Sequence, residues 1–298
     1  MTQTFTEKWL EAVEKKNSIL CAGLDPPEFE ERRKLHVPQG INKEEWSIKF
    51  IKAVAPYCAA VKPNQKFWDG IEDAKSLAEV LNYARAEGLV IIYDCKAADI
   101  GASNDEQFLN ADVSHRRFDA VTLACYAGNI KEAAEQLRKR NLGGIHMCLM
   151  SNPDYQREKN MLVQIPDEEI DEDEYGLDAE IYIGHKVKRY MQLAHDAKKF
   201  GLEGIVVGAP SDKNHIKPEE IEKISHYAGK EMLILCPGIG GKQGGDASVL
   251  FRYFPGENII ANVASGLMFP NGPNSTPEEQ AIAAKQYMEE LNSLRAAA

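Results

Sequence analysis

Short apolar runs alternate with amphipathic segments along the whole chain. Each run is almost continuously apolar, which is typical of strands that other layers cover on both faces. Helical patterns separate successive runs, so the strands are expected to run parallel. Eight parallel units of this kind predict an α/β fold, a (β/α)8 TIM barrel, as a single domain over residues 1–298. The predicted strands span residues 18–25, 58–64, 89–96, 120–126, 144–151, 204–209, 232–239 and 258–265.

The segments between these runs have the spacing of helices. Residues 71–88, 131–144 and 273–298 place apolar side chains at helical intervals, and the last of them predicts an amphipathic helix that closes the barrel. An open, doubly wound sheet is the alternative. It is disfavoured because the first strand is followed by AGLDPPEFE, which lacks the G-x-G-x-x-G fingerprint of such sheets.

One connection is longer than the others. Residues 152–180 follow the fifth predicted strand and contain the acidic block 167–174. Connections between a strand and the next helix are usually short, so we interpret this stretch as an insertion. Its role stays open between a solvated surface segment and an active-site flap or partner contact, since loops at this end of a barrel carry function.

The composition narrows the class of function. The chain has 298 residues, of which 44% are hydrophobic and 27% charged, and its formal net charge is −11. Nucleic-acid and anionic membrane surfaces require clustered positive charge, so neither partner is expected. No signal peptide and no apolar run long enough to cross a bilayer is recognised in the sequence. We therefore expect a cytoplasmic protein that acts on small molecules.

Cysteine and histidine usage gives no indication of a metal site. The six cysteines form no C-x-x-C pair and each lies in an apolar run, which predicts buried free thiols. The seven histidines form no H-E-x-x-H or comparable cluster. No metal and no cofactor is predicted.

Charged side chains appear where the first three predicted strands end. Asp25 ends the first strand, Lys62 lies in the second, and Asp94 and Lys96 end the third. Residues two apart in a strand point to the same side, so Asp94 and Lys96 are expected to lie together. A lone buried lysine is costly, whereas lysines interleaved with carboxylates satisfy one another. At the carboxyl ends of barrel strands such charges are typical of catalysis, with a structural ion cluster as the alternative.

Glycine-rich stretches follow the last two predicted strands. Residues 236–246 read CPGIGGKQGGD and residues 262–266 read NVASG. Glycines let backbone N–H groups approach an anion closely, and the loops after strands seven and eight form the usual phosphate site of this barrel. A plain turn is the alternative for each stretch, and their position favours a phosphate site.

These motifs occur together in one known family. D-x-K-x-x-D-I occupies residues 94–100; LD at 24–25 and VKPN at 61–64 precede it, and PGIG and QGGD follow within 237–246. With these motifs the chain resembles the orotidine 5'-phosphate decarboxylase family. The resemblance implies cofactor-free decarboxylation of orotidine 5'-monophosphate to UMP and CO2, by a homodimer whose active sites lie at the subunit interface.

The same resemblance implies roles for the residues at matching positions. Lys62, Asp94 and Lys96 would form an alternating charge network, completed by Asp99 from the neighbouring subunit. Asp94 would face the substrate carboxylate, and Lys96 would protonate C6. The other implied substrate contacts are Asp25 for the ribose, Ser103 for the ribose of the other site, Ser151 for the pyrimidine ring, Ile100 for the pocket wall, Gln243 for phosphate, and Pro237, Gly244, Ser265 and Gly266 beside them.

The chain departs from the family pattern after the eighth strand. Family members usually carry an arginine there that grips the phosphate, whereas this chain reads NVASG. The backbone of 238–245 and 264–266, with help from Lys242, is one substitute. A magnesium-dependent sugar-phosphate enzyme of the same superfamily and a non-catalytic nucleotide-binding relative are the other possibilities. Lys62 would not suit a magnesium site, and a binding protein would not need four alternating charges, so both features favour the decarboxylase.

Overall fold

The computed structural model describes residues 2–70, 72–113, 117–165, 186–239 and 245–297. Eight parallel strands close into a barrel in the order β1-β10-β9-β8-β5-β4-β3-β2, which confirms the predicted fold class. The strands are β1 (Leu20–Leu24), β2 (Ala60–Pro63), β3 (Val90–Ala97), β4 (Ala120–Leu123), β5 (Gly143–Leu149), β6 (Leu162–Gln164), β7 (Lys186–Lys188), β8 (Gly204–Val207), β9 (Leu233–Pro237) and β10 (Ile259–Val263).

Helices occupy the connections between these strands. Short 3-10 turns lie at Ala55–Tyr57, Gln65–Phe67 and Gly256–Asn258. The α-helices are α1 (Phe5–Lys16), α2 (Lys43–Val54), α3 (Asp73–Ala86), α4 (Gly101–Asp112), α5 (Ile130–Lys139), α6 (Tyr155–Lys159), α7 (Arg189–Lys199), α8 (Pro218–Ala228), α9 (Ser248–Phe251), α10 (Ser265–Met268) and α11 (Pro277–Ala297).

The barrel strands are buried along nearly their whole length. Every residue of β1, β4, β8 and β10 is buried, because each strand packs on the barrel interior with one face and on helices with the other. This two-sided burial explains why the strands read as continuous apolar runs rather than as alternating ones. In β3 the continuous burial is interrupted toward the carboxyl end, where Asp94 is partly exposed and Lys96 exposed while Cys95 and Ala97 between and after them stay buried.

The two ends of the chain meet the barrel in different ways. The Thr4 hydroxyl accepts a hydrogen bond from the backbone N–H of Glu7, and the Glu7 carboxylate accepts one from the backbone N–H of Thr4. This capping box defines where α1 begins. The predicted C-terminal helix is present as α11, which packs against α2, α10 and β1. This packing brings the last helix to the side of the barrel where β1 and β10 pair.

Close packing between α1 and the barrel depends on one glycine. An added Cβ on Gly143 would lie only 2.5 Å from Cβ of Phe5. Real Cβ atoms do not approach so closely, and the Phe5 side chain is buried, so it has little room to move. Gly143 therefore lets α1 seat its aromatic side chain directly against the start of β5.

The predicted insertion 152–180 contains α6 and β6 among its described residues, and β6 pairs with β7, which follows the insertion. β6 and β7 form an antiparallel pair in which Val163 lies opposite Val187. The acidic block 167–174 lies outside the described residues. Within the described ranges, no helix combines the length and apolar character needed to span a bilayer. All six cysteines are buried and free, as the sequence predicts.

Candidate active site

Two lysines hold one aspartate between them at the carboxyl ends of β2 and β3. Nζ of Lys62 donates to Oδ2 of Asp94, and Nζ of Lys96 donates to Oδ1 of the same carboxylate at 2.5 Å. The Lys62 and Asp94 side chains are 6% and 11% exposed, whereas that of Lys96 is 45% exposed. The alternating array predicted from the sequence is therefore present, and its lysine on β3 is the one that solvent or a ligand can reach.

An irregularity in strand pairing shapes this end of β3. Tyr93 pairs with Val121 and Ala97 pairs with Leu123, so four positions along β3 run beside two along β4. The extra length lets Lys96 adopt a left-handed backbone with φ of 49°, which is uncommon for a residue other than glycine. Such strain persists only where the surroundings hold it, and it is concentrated at functional sites.

Thr122 on β4 stabilises this irregular segment through two hydrogen bonds. Its hydroxyl donates to Oδ1 of Asp94 at 3.0 Å and accepts from the backbone N–H of Lys96 at 2.9 Å. One side chain thus fixes both the carboxylate and the strained backbone beside it. Because both contacts come from the neighbouring strand, β3 and β4 must pair before Thr122 can hold this segment.

The charges of the array determine the protonation states of its members. Burial opposes ionisation of Asp94, but Lys62 and Lys96 outweigh it and lower the pKa of this carboxyl to about 2. Burial likewise opposes the charged form of Lys62, but the carboxylates of Asp94 and Asp25 outweigh it and raise the pKa of this amine. The Lys62 and Asp94 pair is therefore ionised throughout the neutral pH range.

At Asp25 the effects of burial and of neighbouring charges on the pKa combine differently. Burial raises the pKa of this carboxyl and Asp94 adds to the effect, while Lys62 opposes it. Its Oδ1 atom is buried and has no hydrogen-bond partner among the described residues, and the same holds for Oδ1 of Asn262 on β10. Unsatisfied buried acceptors are costly unless a donor arrives, so a ligand that carries hydroxyl groups would satisfy both.

A cavity of about 980 Å³ opens at the same end of the barrel. It extends from the lysine–aspartate array to the loops after β9 and β10 and to α11. Its size suits a ligand much larger than a single ring. The residues predicted from the sequence that line it are Asp25, Lys62, Asp94, Pro237, Ser265 and Gly266.

Other predicted residues lie away from this cavity. Asp99, Ile100 and Ser103 are exposed at the start of α4, and none of them lines the cavity of its own chain. Ser151 follows β5 and packs where a Cβ on Gly208 would fall, outside the cavity lining. Gln243 and Gly244 lie outside the described residues, as does Lys242.

Three residues of the site are not among those predicted from the sequence. Thr122 and Asn262 are single polar residues inside apolar strands, and this is the signal that could have identified them. Tyr287 lines the cavity from α11, and nothing in the local pattern of that helix distinguishes it. Its role becomes visible only when the last helix packs against the barrel.

The chain is similar to known proteins over nearly its whole length. The sequence model of the Orotidine 5'-phosphate decarboxylase / HUMPS family matches residues 18–267. The orotidine 5'-phosphate decarboxylase of Natronomonas pharaonis is 24% identical over 304 residues, covering 98% of this chain and 100% of that protein. The protein of the same name from Dehalococcoides mccartyi is 27% identical, with 98% of both chains covered.

Solved structures share the fold. A structure described as a putative orotidine-monophosphate-decarboxylase from Toxoplasma gondii superimposes with a TM-score of 0.77 at 22% identity, covering 99% of this chain and 97% of the other. At that identity the likeness supports the barrel architecture. Together with the sequence match, it places the alternating array inside a barrel of known kind.

Proposed function

The chain belongs to the Orotidine 5'-phosphate decarboxylase / HUMPS family, and from this premise we propose that it decarboxylates orotidine 5'-monophosphate to UMP and CO2. The alternating array of Lys62, Asp94 and Lys96, in which Lys62 and Asp94 line the cavity and Lys96 contacts Asp94, is the observation that carries the proposal. It supplies a fixed negative charge and a proton donor side by side, at the end of the barrel where catalysis occurs.

The reaction breaks the bond between C6 of the pyrimidine and its carboxylate. The electron pair stays on C6, and the Lys96 ammonium stabilises this charge and then transfers a proton to it. CO2 leaves, and the resulting Lys96 amine regains a proton from solvent, which its partial exposure allows. In this assignment Lys62 holds Asp94 ionised throughout the cycle.

Asp94 acts on the ground state of the substrate. Its carboxylate faces that of the bound substrate, and two like charges ~4 Å apart at an effective dielectric of ~20 repel by roughly 4 kcal/mol. This repulsion ends when neutral CO2 departs. Binding energy from the ribose and the phosphate holds the substrate in place against the repulsion.

The donor set favours this reaction over the metal-dependent branch of the superfamily. Each oxygen of the Asp94 carboxylate already accepts a hydrogen bond from a lysine amine. A divalent cation would have to displace these amines and would experience the repulsion of two ammonium groups. Asp25 and Asn262, with their unpartnered oxygens, suit the hydroxyl groups of a ribose.

Absorbance on addition of orotidine 5'-monophosphate tests the proposal. Wild-type enzyme is expected to convert it to UMP, with and without EDTA, whereas Lys96→Ala is expected to be inactive. Lys66→Ala is the matched control, because Lys66 is an exposed lysine that does not line the cavity. Folded wild-type protein that leaves the substrate unchanged would overturn the proposal and leave the sugar-phosphate and binding-only alternatives.

We also propose that the enzyme is a homodimer in which Asp99 completes the partner's array. Asp99 and Ile100 are exposed in the single chain, and Ile100 presents 58% of its surface to solvent. An exposed apolar side chain beside an exposed carboxylate suits a contact with a second copy.

Mixing two inactive variants tests this arrangement. Lys96→Ala and Asp99→Ala are each expected to be inactive, while a re-paired mixture regains about a quarter of wild-type activity, because half of randomly formed dimers are mixed and each holds one complete site. Mixtures as inactive as the single variants would contradict the shared site.

A further inference from the structure

The hydroxyl group of Tyr287 reaches Gly266 in α10, the short helix that follows β10. An added Cβ on Gly266 would lie 2.7 Å from this oxygen and 3.2 Å from Cγ1 of Val263. The tyrosine side chain therefore occupies the space that any larger residue at position 266 would need. Within the described part of the chain the hydroxyl makes no hydrogen bond, although the side chain is half-buried at the cavity wall.

One face of α11 forms this wall. Gln286, Tyr287 and Glu290 lie three, four and seven residues after Ala283, which places all four on the same side of a helix. All four line the cavity. The C-terminal helix therefore contributes three polar side chains, those of Gln286, Tyr287 and Glu290, to the cavity wall.

The charges along this end of the cavity are unfavourable for an anion. Glu290 is exposed at the mouth, and among the described residues that line the cavity Lys62 alone is positively charged, beside Asp94. No arginine is present in the described lining. A phosphate group at this end needs neutral hydrogen-bond donors, and a tyrosine hydroxyl is one.

The phenol keeps its proton under all ordinary conditions. Burial raises the pKa of Tyr287, and the neighbouring carboxylate of Glu290 raises it further. The hydroxyl is therefore available as a donor at neutral and moderately alkaline pH.

We propose that Tyr287 donates a hydrogen bond to the phosphate of the bound nucleotide, in the place where an arginine would otherwise be needed. Glu290 opposes the same phosphate, so the two residues together determine how strongly the site prefers a nucleotide over the unphosphorylated nucleoside. This inference rests on the proposed function, since it takes the ligand to be a pyrimidine nucleotide.

Calorimetric binding of UMP and of uridine tests the inference without requiring turnover. Tyr287→Phe removes one oxygen and is expected to weaken UMP binding about tenfold, because hydrogen bonds to charged groups are among the stronger ones, while uridine affinity changes less than about twofold. Gly266→Ala, whose methyl group displaces the hydroxyl, is expected to have the same selective effect. Glu290→Gln is expected to strengthen UMP binding and to leave uridine binding unchanged, because a repulsive charge is removed.

Tyr83→Phe is the matched control. Tyr83 is also a tyrosine beside a glutamate, Glu87, but it lies on α3 and does not line the cavity. Its replacement is expected to leave both affinities unchanged.

The outcomes separate this inference from the proposed function. Tyr287-dependent binding of UMP by a protein that does not decarboxylate its substrate would support the inference and overturn only the reaction. Equal effects of Tyr287→Phe on UMP and uridine, no effect on either, or failure of the wild type to bind UMP would each overturn the inference.

Discussion

Replacing Asp94 with asparagine removes one charge and keeps the shape of the side chain. The amide oxygen can still accept the hydrogen bond from Thr122, so packing changes little. Lys62, which is 5% exposed, is left without the carboxylate that balances its charge. The loss of stability therefore reports the electrostatic contribution of the array.

The magnitude follows from two observations. The fall in the pKa of Asp94 from 3.8 to about 2 corresponds to about 2 kcal/mol of folding free energy. Removing one member of a buried ion pair typically costs about 3–5 kcal/mol, because the other charge stays buried and unpaired. We expect Asp94→Asn to lower the free energy of unfolding at pH 7 by about 3 kcal/mol.

The loss should depend on pH in a definite direction. The folded-state pKa of Asp94 is lowered, so its contribution is fully present above pH 3.8 and is lost as the pH falls through about 2. The folded-state pKa of Lys62 is raised, so its contribution is lost only as the pH rises above 10.5. The difference between wild type and variant is therefore greatest in the neutral range and narrows at both extremes.

Urea denaturation of both proteins from acid to neutral pH measures this difference. Glu220→Gln is the control, since Glu220 pairs with the buried Lys159 at 2.6 Å outside the cavity. We expect the control to lose stability but to keep its catalytic activity, whereas Asp94→Asn loses both. A stability difference that stays constant down to pH 2 would show that the loss comes from packing and would refute the electrostatic reasoning.

Three further substitutions test other parts of the structure. Burial lowers the pKa of His146 to about 4, so its contribution to stability is present above pH 6.5 and is lost as the pH falls toward 4. Wild-type protein should therefore lose about 3 kcal/mol of unfolding free energy over this pH range, measured by urea titrations at successive pH values. His146→Gln should remove this loss. Gly143→Ala should lower the unfolding free energy by about 1–3 kcal/mol in the same assay, because the added methyl meets Phe5 at 2.5 Å, and an unchanged value would contradict the packing argument. Thr122→Val should lower the unfolding free energy by about 1–3 kcal/mol and reduce kcat for decarboxylation, because Asp94 loses a hydrogen bond. An unchanged kcat would show that Thr122 does not support the catalytic array.

The barrel could be predicted from the sequence because the pattern that marks each strand lies within a few consecutive residues. Two-sided burial of a strand leaves a continuous apolar run, and each run is visible without knowledge of its neighbours. The eight predicted strands correspond to the eight barrel strands, with shorter bounds in most cases, as for 58–64 against Ala60–Pro63. The polar residues at strand ends were predicted from the same local evidence, and the structure brings Asp25, Lys62 and Asp94 to one cavity.

The array itself was predicted only in part. Asp94 and Lys96 are neighbours in sequence, and strand alternation placed them together, but their contact in the structure involves a left-handed backbone at Lys96. That conformation depends on Thr122 and on the uneven pairing of β3 with β4. An irregularity in strand pairing leaves no clear pattern in the sequence of either strand, because it concerns how the residues of two strands align.

The sequence by itself determined the elements, their order and the charged residues at their ends, because periodicity and strand chemistry act over a few residues. The tertiary structure decided which of those ends meet. Pairing of β2 with β3 places Lys62 against Asp94, and the packing of α11 brings Tyr287 to α10. Such distances depend on the closure of the whole barrel and on side-chain packing across it, and no segment of the chain contains that information alone.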